Sequence, residues 1–296
     1  MASIHVDLLG SETRFIDTGR YRSRVISIDN DKVPLILLHG GGGHAETWSR
    51  NIARLAHVCR PIAVDFIWHG LSSAPPFSDR GPGERGHWLD QFTDQILDLM
   101  DHLGIARAVI EGESLGGWIA YDMAINHPDR TAGVVLNTTW GMQLDRRHVH
   151  EGDADLDALR ATSLGALRKP TPELLRRRLE WLMPLGGVTD ELVDLRRALW
   201  SNPQTNAALA EYYHRLFAPN IAEFYFNEDA IRTIACPTQV LWTDSNPIHG
   251  PDAAERLVQL VSGARLHIMK GCAHWPQWER PEEHDAVVAD FITSLS

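Results

Sequence analysis

Hydrophobic and polar positions in the first half of the chain predict strands separated by amphipathic helices. Runs of β-branched and aliphatic residues, which favour strands, lie at 24–28, 33–38, 61–65, 106–110 and 132–136. Apolar residues recur at helical spacing in 46–57, 87–103 and 115–127. Such alternation predicts an α/β fold with a mostly parallel central sheet covered by helices on both faces.

The pattern changes between residues 139 and 226, where helices follow one another and no strand is predicted. Thr171, Thr189 and Asn202 each precede a proline or an acidic residue, which is typical of helix starts. Strand and helix signals then alternate again from 238 to 295. We therefore predict a core formed by 1–139 and 228–296, with an inserted helical cap, 140–227, over the carboxyl ends of the strands.

Composition narrows the function classes. The 296 residues are 44% hydrophobic and 23% charged, which is typical of a globular protein. A net charge of −11 argues against nucleic acid or an anionic membrane as a partner, although a small anionic substrate remains compatible. The longest stretch without Asp, Glu, Lys or Arg, 131–144, has 14 residues and is too short to span a bilayer.

Cysteine usage and the amino-terminal residues indicate a reducing compartment. Cys59, Cys236 and Cys272 are too few and too scattered for a disulfide framework or a zinc site. No basic segment followed by an apolar run opens the chain, so we expect no secretory signal. The expectation is a cytoplasmic protein without a bound metal.

The segment Gly112–Gly116 has the pattern Gly-x-Ser-x-Gly between a predicted strand and a predicted helix. A sharp strand-to-helix turn there would expose the hydroxyl of Ser114 above the sheet and would require small neighbours. The alternative is a glycine-rich turn with an incidental serine. The strand–turn–helix context favours a nucleophile.

A serine nucleophile needs a base, and that base needs a partner. His274 follows the predicted strand 264–269, in a loop from which its ring can reach Ser114. Asp244 follows the strand 238–243 and is the candidate acid. His39, by contrast, is interpreted as a residue that holds the glycine loop in place.

Two backbone amides must bind the oxyanion of the reaction. Leu115, directly after the serine, supplies the first. The second is expected from the glycines after His39, with Gly41 favoured over Gly42, because glycine lets the backbone approach a substrate closely. A phosphate-binding loop is the alternative, but the Gly-Lys-Ser/Thr ending and the dinucleotide-binding spacing are both absent from the sequence.

With these motifs the chain resembles the α/β-hydrolase superfamily over nearly its whole length. The segment 272–279, Cys-Ala-His-Trp-Pro-Gln-Trp-Glu, is similar to the segment around the catalytic histidine of meta-cleavage-product hydrolases. The resemblance implies that Arg196 anchors a substrate carboxylate, that Trp275 lines the pocket and that Asn51 contacts the substrate. It also implies that no cofactor is needed and that a homo-oligomer can form.

One departure from the family lies beside the nucleophile, where Glu113 replaces the common asparagine. A carboxylate there would repel a substrate carboxylate unless it is turned away or protonated. The resemblance implies hydrolysis of a carbon–carbon bond in a vinylogous 1,5-diketone. Glu113 favours the alternative, an ester, lactone or amide hydrolase, and a non-catalytic receptor is the third possibility. The run Arg176, Arg177 and Arg178 is interpreted as a solvated face of a cap helix.

Overall fold

The computed structural model describes residues 3–144 and 153–295, and its centre is a twisted sheet. Within those ranges, eight strands form the sheet in the order β1-β2-β4-β3-β5-β6-β9-β10, and two more form a short ladder, β7-β8. The strands are β1 Glu12–Asp17, β2 Arg22–Ser27, β3 Pro34–Leu38, β4 Arg60–Val64, β5 Ala108–Glu113, β6 Thr131–Asn137, β7 Met142–Gln143, β8 Phe226–Asn227, β9 Thr238–Thr243 and β10 Arg265–Met269. Pairing is antiparallel for β1 with β2 and for β2 with β4, and parallel from β4 to β10. The predicted fold class is confirmed.

Helices cover the sheet and also form the insertion. They are α1 Ile4–Asp7, α2 Ser49–Leu55, α3 Asp90–His102, α4 Leu115–Asn126, α5 Asp153–Arg168, α6 Pro172–Leu182, α7 Asp190–Trp200, α8 Pro203–Leu216, α9 Glu228–Arg232, α10 Pro251–Leu260, α11 Pro276–Glu279 and α12 Pro281–Thr293. Single 3₁₀ turns occur at Ala45–Trp48 and Ile221–Phe224.

The degree of burial of a strand explains whether its sequence pattern predicted it. Strand β5 is buried at every position, and β3 at every position after Pro34, as expected for central parallel strands that helices cover on both faces. Strand β1 was not predicted. It is an edge strand with one fully buried residue, Ile16, and its polar sequence resembles a loop.

The predicted helix starts in the insertion are confirmed. The side chains of Thr171, Thr189 and Asn202 each accept a backbone N–H from the first turn of α6, α7 and α8. The helices α5 to α8 lie between β7 and β8 in the chain, and residues 145–152 of the predicted cap lie outside the described part. The boundaries at 140 and 227 stay predictions. No helix in the described ranges is long and apolar enough to cross a membrane.

Candidate active site

Ser114 occupies a strained turn between β5 and α4. Its φ is 54° and its ψ is −112°, a conformation that costs an L-residue roughly 1–3 kcal/mol. A Cβ atom on Gly112 would collide with the backbone of Gly116, and one on Gly116 would collide with the backbone of Leu38. Both flanking glycines are therefore required by packing, as expected for a turn that presents a nucleophile.

Ser114 faces a cavity between the sheet and the inserted helices. His274, Glu113 and Gly41 line it from the core, and Arg178 and Tyr213 line it from α6 and α8. Ser114 is 6% exposed and His274 is 2% exposed, so both are largely shielded from bulk water. The structure thus brings the predicted nucleophile and base to one space.

His274 is held by one contact of its ring and one of its backbone. Its Nδ1 lies 2.9 Å from Oδ1 of Asn246, and its backbone N–H donates to the Leu182 carbonyl at the end of α6. Because a carbonyl oxygen only accepts, the proton lies on Nδ1 and the lone pair on Nε2. Burial, with a smaller effect of Arg178, lowers the pKa of His274 to about 3, so the ring is neutral and can act as a base.

The prediction that Asp244 is the partner of His274 is wrong. Asp244 is exposed, and its carboxylate accepts the backbone N–H of Gly271 at 2.9 and 3.1 Å. The chain continues two residues past it before a side chain reaches the imidazole, and that side chain is the amide of Asn246. The sequence prediction considered only carboxylates after β9 and therefore passed over Asn246. Cys-His-Asn triads show that an amide can also orient a catalytic histidine.

Glu113 lies on the other side of the imidazole. Its side chain is 1% exposed, and Oε1 is 3.1 Å from Nε2 of His274. Burial raises the pKa of Glu113 to about 8, against opposing effects of the Gly40 backbone amide, Arg178 and Arg196. The carboxyl group is therefore largely protonated near neutral pH. Among the described residues, Ser114 Oγ makes no hydrogen bond to His274, whereas Glu113 Oε1 is within 3.1 Å of Nε2.

The glycine loop after β3 forms a tight turn, in which Gly43 N–H donates to the Gly40 carbonyl at 2.9 Å. The φ of Gly42 is 73°, a conformation that favours glycine. Gly41 lines the cavity, whereas Gly42 is not among the lining residues, which favours Gly41 as the predicted donor. The Leu115 amide lies in the first turn of α4 and has no acceptor within its own helix.

Two side chains fix this loop from outside the cavity. His39 accepts the Phe66 N–H at Nε2, so its Nδ1–H donates to the Gly40 carbonyl at 2.8 Å, in agreement with its predicted structural role. Arg196 donates from Nη1 to the Gly42 carbonyl at 2.5 Å. Burial lowers the pKa of Arg196 to about 10, so it stays charged at neutral pH.

The other residues implied by the family resemblance divide into two groups. Trp275 lines the cavity. Arg196 is not among the lining residues, and its guanidinium carbon lies 5.6 Å from the centroid of the Trp275 ring. The structure does not bring Asn51 to the cavity. Its amide donates to the Gln277 carbonyl and to Asp285, so it ties α2 to α11 and α12 and is not placed to contact a substrate.

Arg178 is the residue that the sequence interpretation missed. It is 4% exposed and lines the cavity, whereas a solvated position was expected for the whole run. Its Nε and Nη1 have no hydrogen-bond partner within residues 3–144 and 153–295. The sequence spacing could have indicated that Arg178 is buried. Leu175, Leu179 and Leu182 form the buried face of α6, and Arg178 lies on the same face.

The arrangement can perform acyl transfer. It contains a buried imidazole with its lone pair on Nε2, a strained serine, a glycine-loop amide that lines the same cavity, and a buried arginine. No group of three or more His, Cys, Asp or Glu residues with metal-binding geometry occurs in the described ranges.

Comparison with known proteins shows the family of the fold. The family described as alpha/beta hydrolase fold matches residues 33–281. A 2-hydroxy-6-oxononadienedioate/2-hydroxy-6-oxononatrienedioate hydrolase of Burkholderia vietnamiensis strain G4 is 30% identical over 276 residues, which cover 87% of this chain and 86% of the relative.

Solved structures show the same fold at lower identity. The 2-hydroxy-6-oxo-6-phenylhexa-2,4-dienoate hydrolase of Rhodococcus sp. strain RHA1 has a TM-score of 0.81 at 22% identity, with 96% of this chain and 99% of that chain covered. A thermophilic esterase of Thermogutta terrifontis has a TM-score of 0.72 at 20% identity, with coverages of 96% and 99%. Since both kinds of enzyme share the architecture, the fold alone does not select the bond that is cleaved.

Proposed function

This chain belongs to the α/β hydrolase fold family, and we propose that it is a serine-dependent hydrolase of the meta-cleavage-product type. It would hydrolyse a carbon–carbon bond in a ring-opened product of aromatic catabolism, a vinylogous 1,5-diketone that carries a carboxylate. One observation carries the proposal: Arg178 lines the cavity above the strained Ser114, and its buried Nε and Nη1 have no hydrogen-bond partner among the described residues. A buried cation without a partner favours an anionic substrate.

In this reaction Arg178 pairs with the substrate carboxylate. After the dienol tautomerises to the ketone, Oγ of Ser114 adds to the distal carbonyl, the π electron pair moves to oxygen, and the hydroxyl proton moves to Nε2 of His274. The C–C bond then breaks, its electron pair stays with the carboxylate-bearing fragment, and that fragment takes up a proton. Water finally hydrolyses the acyl-serine.

The glycine loop and α4 stabilise the oxyanion. The amides of Gly41 and Leu115 are the proposed donors, since Leu115 directly follows the nucleophile and Gly41 lines the same cavity as Ser114. Arg196 holds the loop through the Gly42 carbonyl. Its role in this proposal is therefore support of the loop, and Arg178 is the anchor of the carboxylate.

Hydrolysis of an ester, lactone or amide is the second candidate. The observation that favours it is Glu113, because a carboxyl group 3.1 Å from His274 Nε2 occupies the space beside the scissile bond. A small neutral ester would meet no charge repulsion from it in either protonation state.

The discriminating experiment is a stopped-flow comparison of coloured 2-hydroxy-6-oxo-dienoates with simple aryl esters. The proposal predicts rapid bleaching of the dienoates and a loss of roughly 10³-fold or more in Ser114→Ala. Rapid ester turnover with inert dienoates would select the second candidate. A non-catalytic receptor, the third possibility in the sequence, predicts binding without turnover and no effect of Ser114→Ala on binding.

A further inference from the structure

A Ser-His-Asn arrangement lacks the negative charge that the aspartate of a Ser-His-Asp triad provides. When His274 takes the proton of Ser114 it becomes an imidazolium inside a buried cavity, and a buried cation without a counter-charge is costly. In a Ser-His-Asp triad the carboxylate supplies that charge. While the tetrahedral intermediate exists, its oxyanion balances the imidazolium. When the intermediate collapses that charge is lost, and Asn246, which fixes the tautomer through Nδ1, is neutral, so the negative charge must then come from the leaving group or from another residue.

Glu113 is the group in position to supply it. Its Oε1 lies 3.1 Å from Nε2, and Glu113, His274 and Ser114 all line the same cavity. Neither of its carboxyl oxygens accepts a well-aligned hydrogen bond from the described residues. The carboxyl group is thus buried, close to the base and in contact with the substrate space.

We propose that Glu113 is a catalytic acid that protonates the leaving group and, once ionised, provides the counter-charge for the imidazolium of His274. The inference rests on the proposed function, because it concerns the same serine chemistry. In this proposal the negative charge is on Glu113, whereas in a Ser-His-Asp triad it would be on an aspartate at position 246.

The step balances as follows. The Oγ–H bond of Ser114 breaks as Oγ bonds to the carbonyl carbon, and the proton moves to Nε2 of His274. The bond to the leaving group then breaks, and the leaving group takes its electron pair together with the proton of Glu113. The imidazolium and the new carboxylate now form an ion pair, and transfer of the proton from Nε2 to Oε1 restores both groups. Water repeats the sequence on the acyl-serine, with Oγ as the leaving group.

The surroundings set the protonation state that this step needs. Burial favours the neutral form of Glu113 and gives a pKa of about 8. The charged and titratable groups that face it are His274, Arg178 and Arg196, with the Tyr212 phenol nearby. The two arginines favour ionisation, which helps the carboxylate form once the leaving group has departed.

The test compares acylation by 4-nitrophenyl acetate and by phenyl acetate in wild type and Glu113→Gln. Both esters transfer the same acetyl group, but 4-nitrophenolate leaves without a proton and phenolate is the poorer leaving group. Burst-phase stopped flow reports acylation directly. We expect Glu113→Gln to slow acylation by phenyl acetate about 10²-fold or more, and to leave acylation by 4-nitrophenyl acetate within a few-fold of wild type. Glu255→Gln, at an exposed position on α10, is the control.

A pH series gives a second measurement. In wild type the phenyl acetate rate should fall as pH rises through about 8, since the acid form of Glu113 is lost. The 4-nitrophenyl acetate rate should not fall there, and Glu113→Gln should lack the decline.

Equal slowing of both esters, or of neither, would overturn the inference while leaving the serine mechanism intact. If neither ester acylates the wild type, and Ser114→Ala is indistinguishable from it on esters and dienoates alike, the proposed function itself is overturned, and the inference falls with it.

Discussion

Oδ1 of Asn246 lies 2.9 Å from Nδ1 of His274, so a neutral amide takes the position of the acid in a serine triad. The contact fixes which nitrogen carries the proton and therefore which nitrogen is the base. It supplies no charge, which explains how the pKa of the buried ring can be as low as about 3.

Two replacements of Asn246 should separate the effect of orienting the His274 ring from the effect of placing a negative charge beside it. Asn246→Ala removes the acceptor for Nδ1–H, and we expect kcat to fall roughly 10²- to 10⁴-fold with little change in KM. Asn246→Asp keeps an acceptor and adds a negative charge, which raises the pKa of His274. Because only the neutral ring is a base, the acid limb of the kcat–pH profile should move to higher pH.

Asp244→Ala is the matched control for the two Asn246 variants. Asp244 contacts Gly271 and not His274, so the variant should lose about 1 kcal/mol of stability and retain kcat. A loss of kcat in Asp244→Ala as large as that in Asn246→Ala would show that the acid was correctly predicted from the sequence after all.

Removal of the Arg178 charge should weaken binding of anionic substrates. A charged hydrogen bond contributes about 1.5–3 kcal/mol, so Arg178→Gln should raise KM for a carboxylate-bearing substrate roughly 10- to 100-fold. A neutral ester should be affected far less. Arg177→Gln, at an exposed position one residue earlier on the same helix, should change neither value. Equal KM effects of Arg178→Gln on charged and neutral substrates would contradict an anchoring role.

The backbone strain at Ser114 should be measurable as a difference in the free energy of unfolding between two variants. Glycine tolerates a φ of 54° and alanine does not, so Ser114→Gly should be more stable than Ser114→Ala by roughly 1 kcal/mol, after allowing for the greater chain entropy of glycine when unfolded. Both variants should lack activity. Urea unfolding of the pair provides the comparison, and an alanine variant at least as stable as the glycine variant would argue against strain.

Pattern alone predicted the elements that have a strong periodic signal. The central strands and the capped helices α6 to α8 were predictable because burial and capping leave local marks. Strand β1 was not predictable, because its sequence is polar and its strand structure comes from antiparallel pairing with β2.

The site was predictable where its chemistry depends on a local turn and not where it depends on the way distant loops meet. Ser114 could be predicted because its glycine neighbours are needed for packing. The position of Asn246 depends on the path of the chain after β9, and the burial of Arg178 depends on the stripe of α6 that faces the sheet. Both are tertiary outcomes that a search for charged residues beside strand ends does not capture.

A buried charge network below the site should govern the alkaline stability of the protein. His284 is fully buried, with Nε2 2.6 Å from Glu111 and Nδ1 2.9 Å from Asp285. Although burial opposes it, the charge of Glu111 and the hydrogen bonds of both carboxylates raise the pKa of His284 to about 10 from 6.5. The folded protein thus retains a proton that the unfolded chain releases.

Its contribution to stability is fully present below pH 6.5 and is lost as pH rises toward about 10. The free energy of unfolding should therefore fall across this window, by at most about 1.4 kcal/mol per pH unit from this residue. His284→Gln leaves Glu111 without its cation, so it should cost roughly 3–5 kcal/mol near pH 6.5 and progressively less at higher pH. Urea unfolding of wild type, His284→Gln and the exposed control His57→Gln at several pH values measures the difference, and a gap between wild type and His284→Gln that does not narrow with rising pH would show that His284 is neutral in the folded protein.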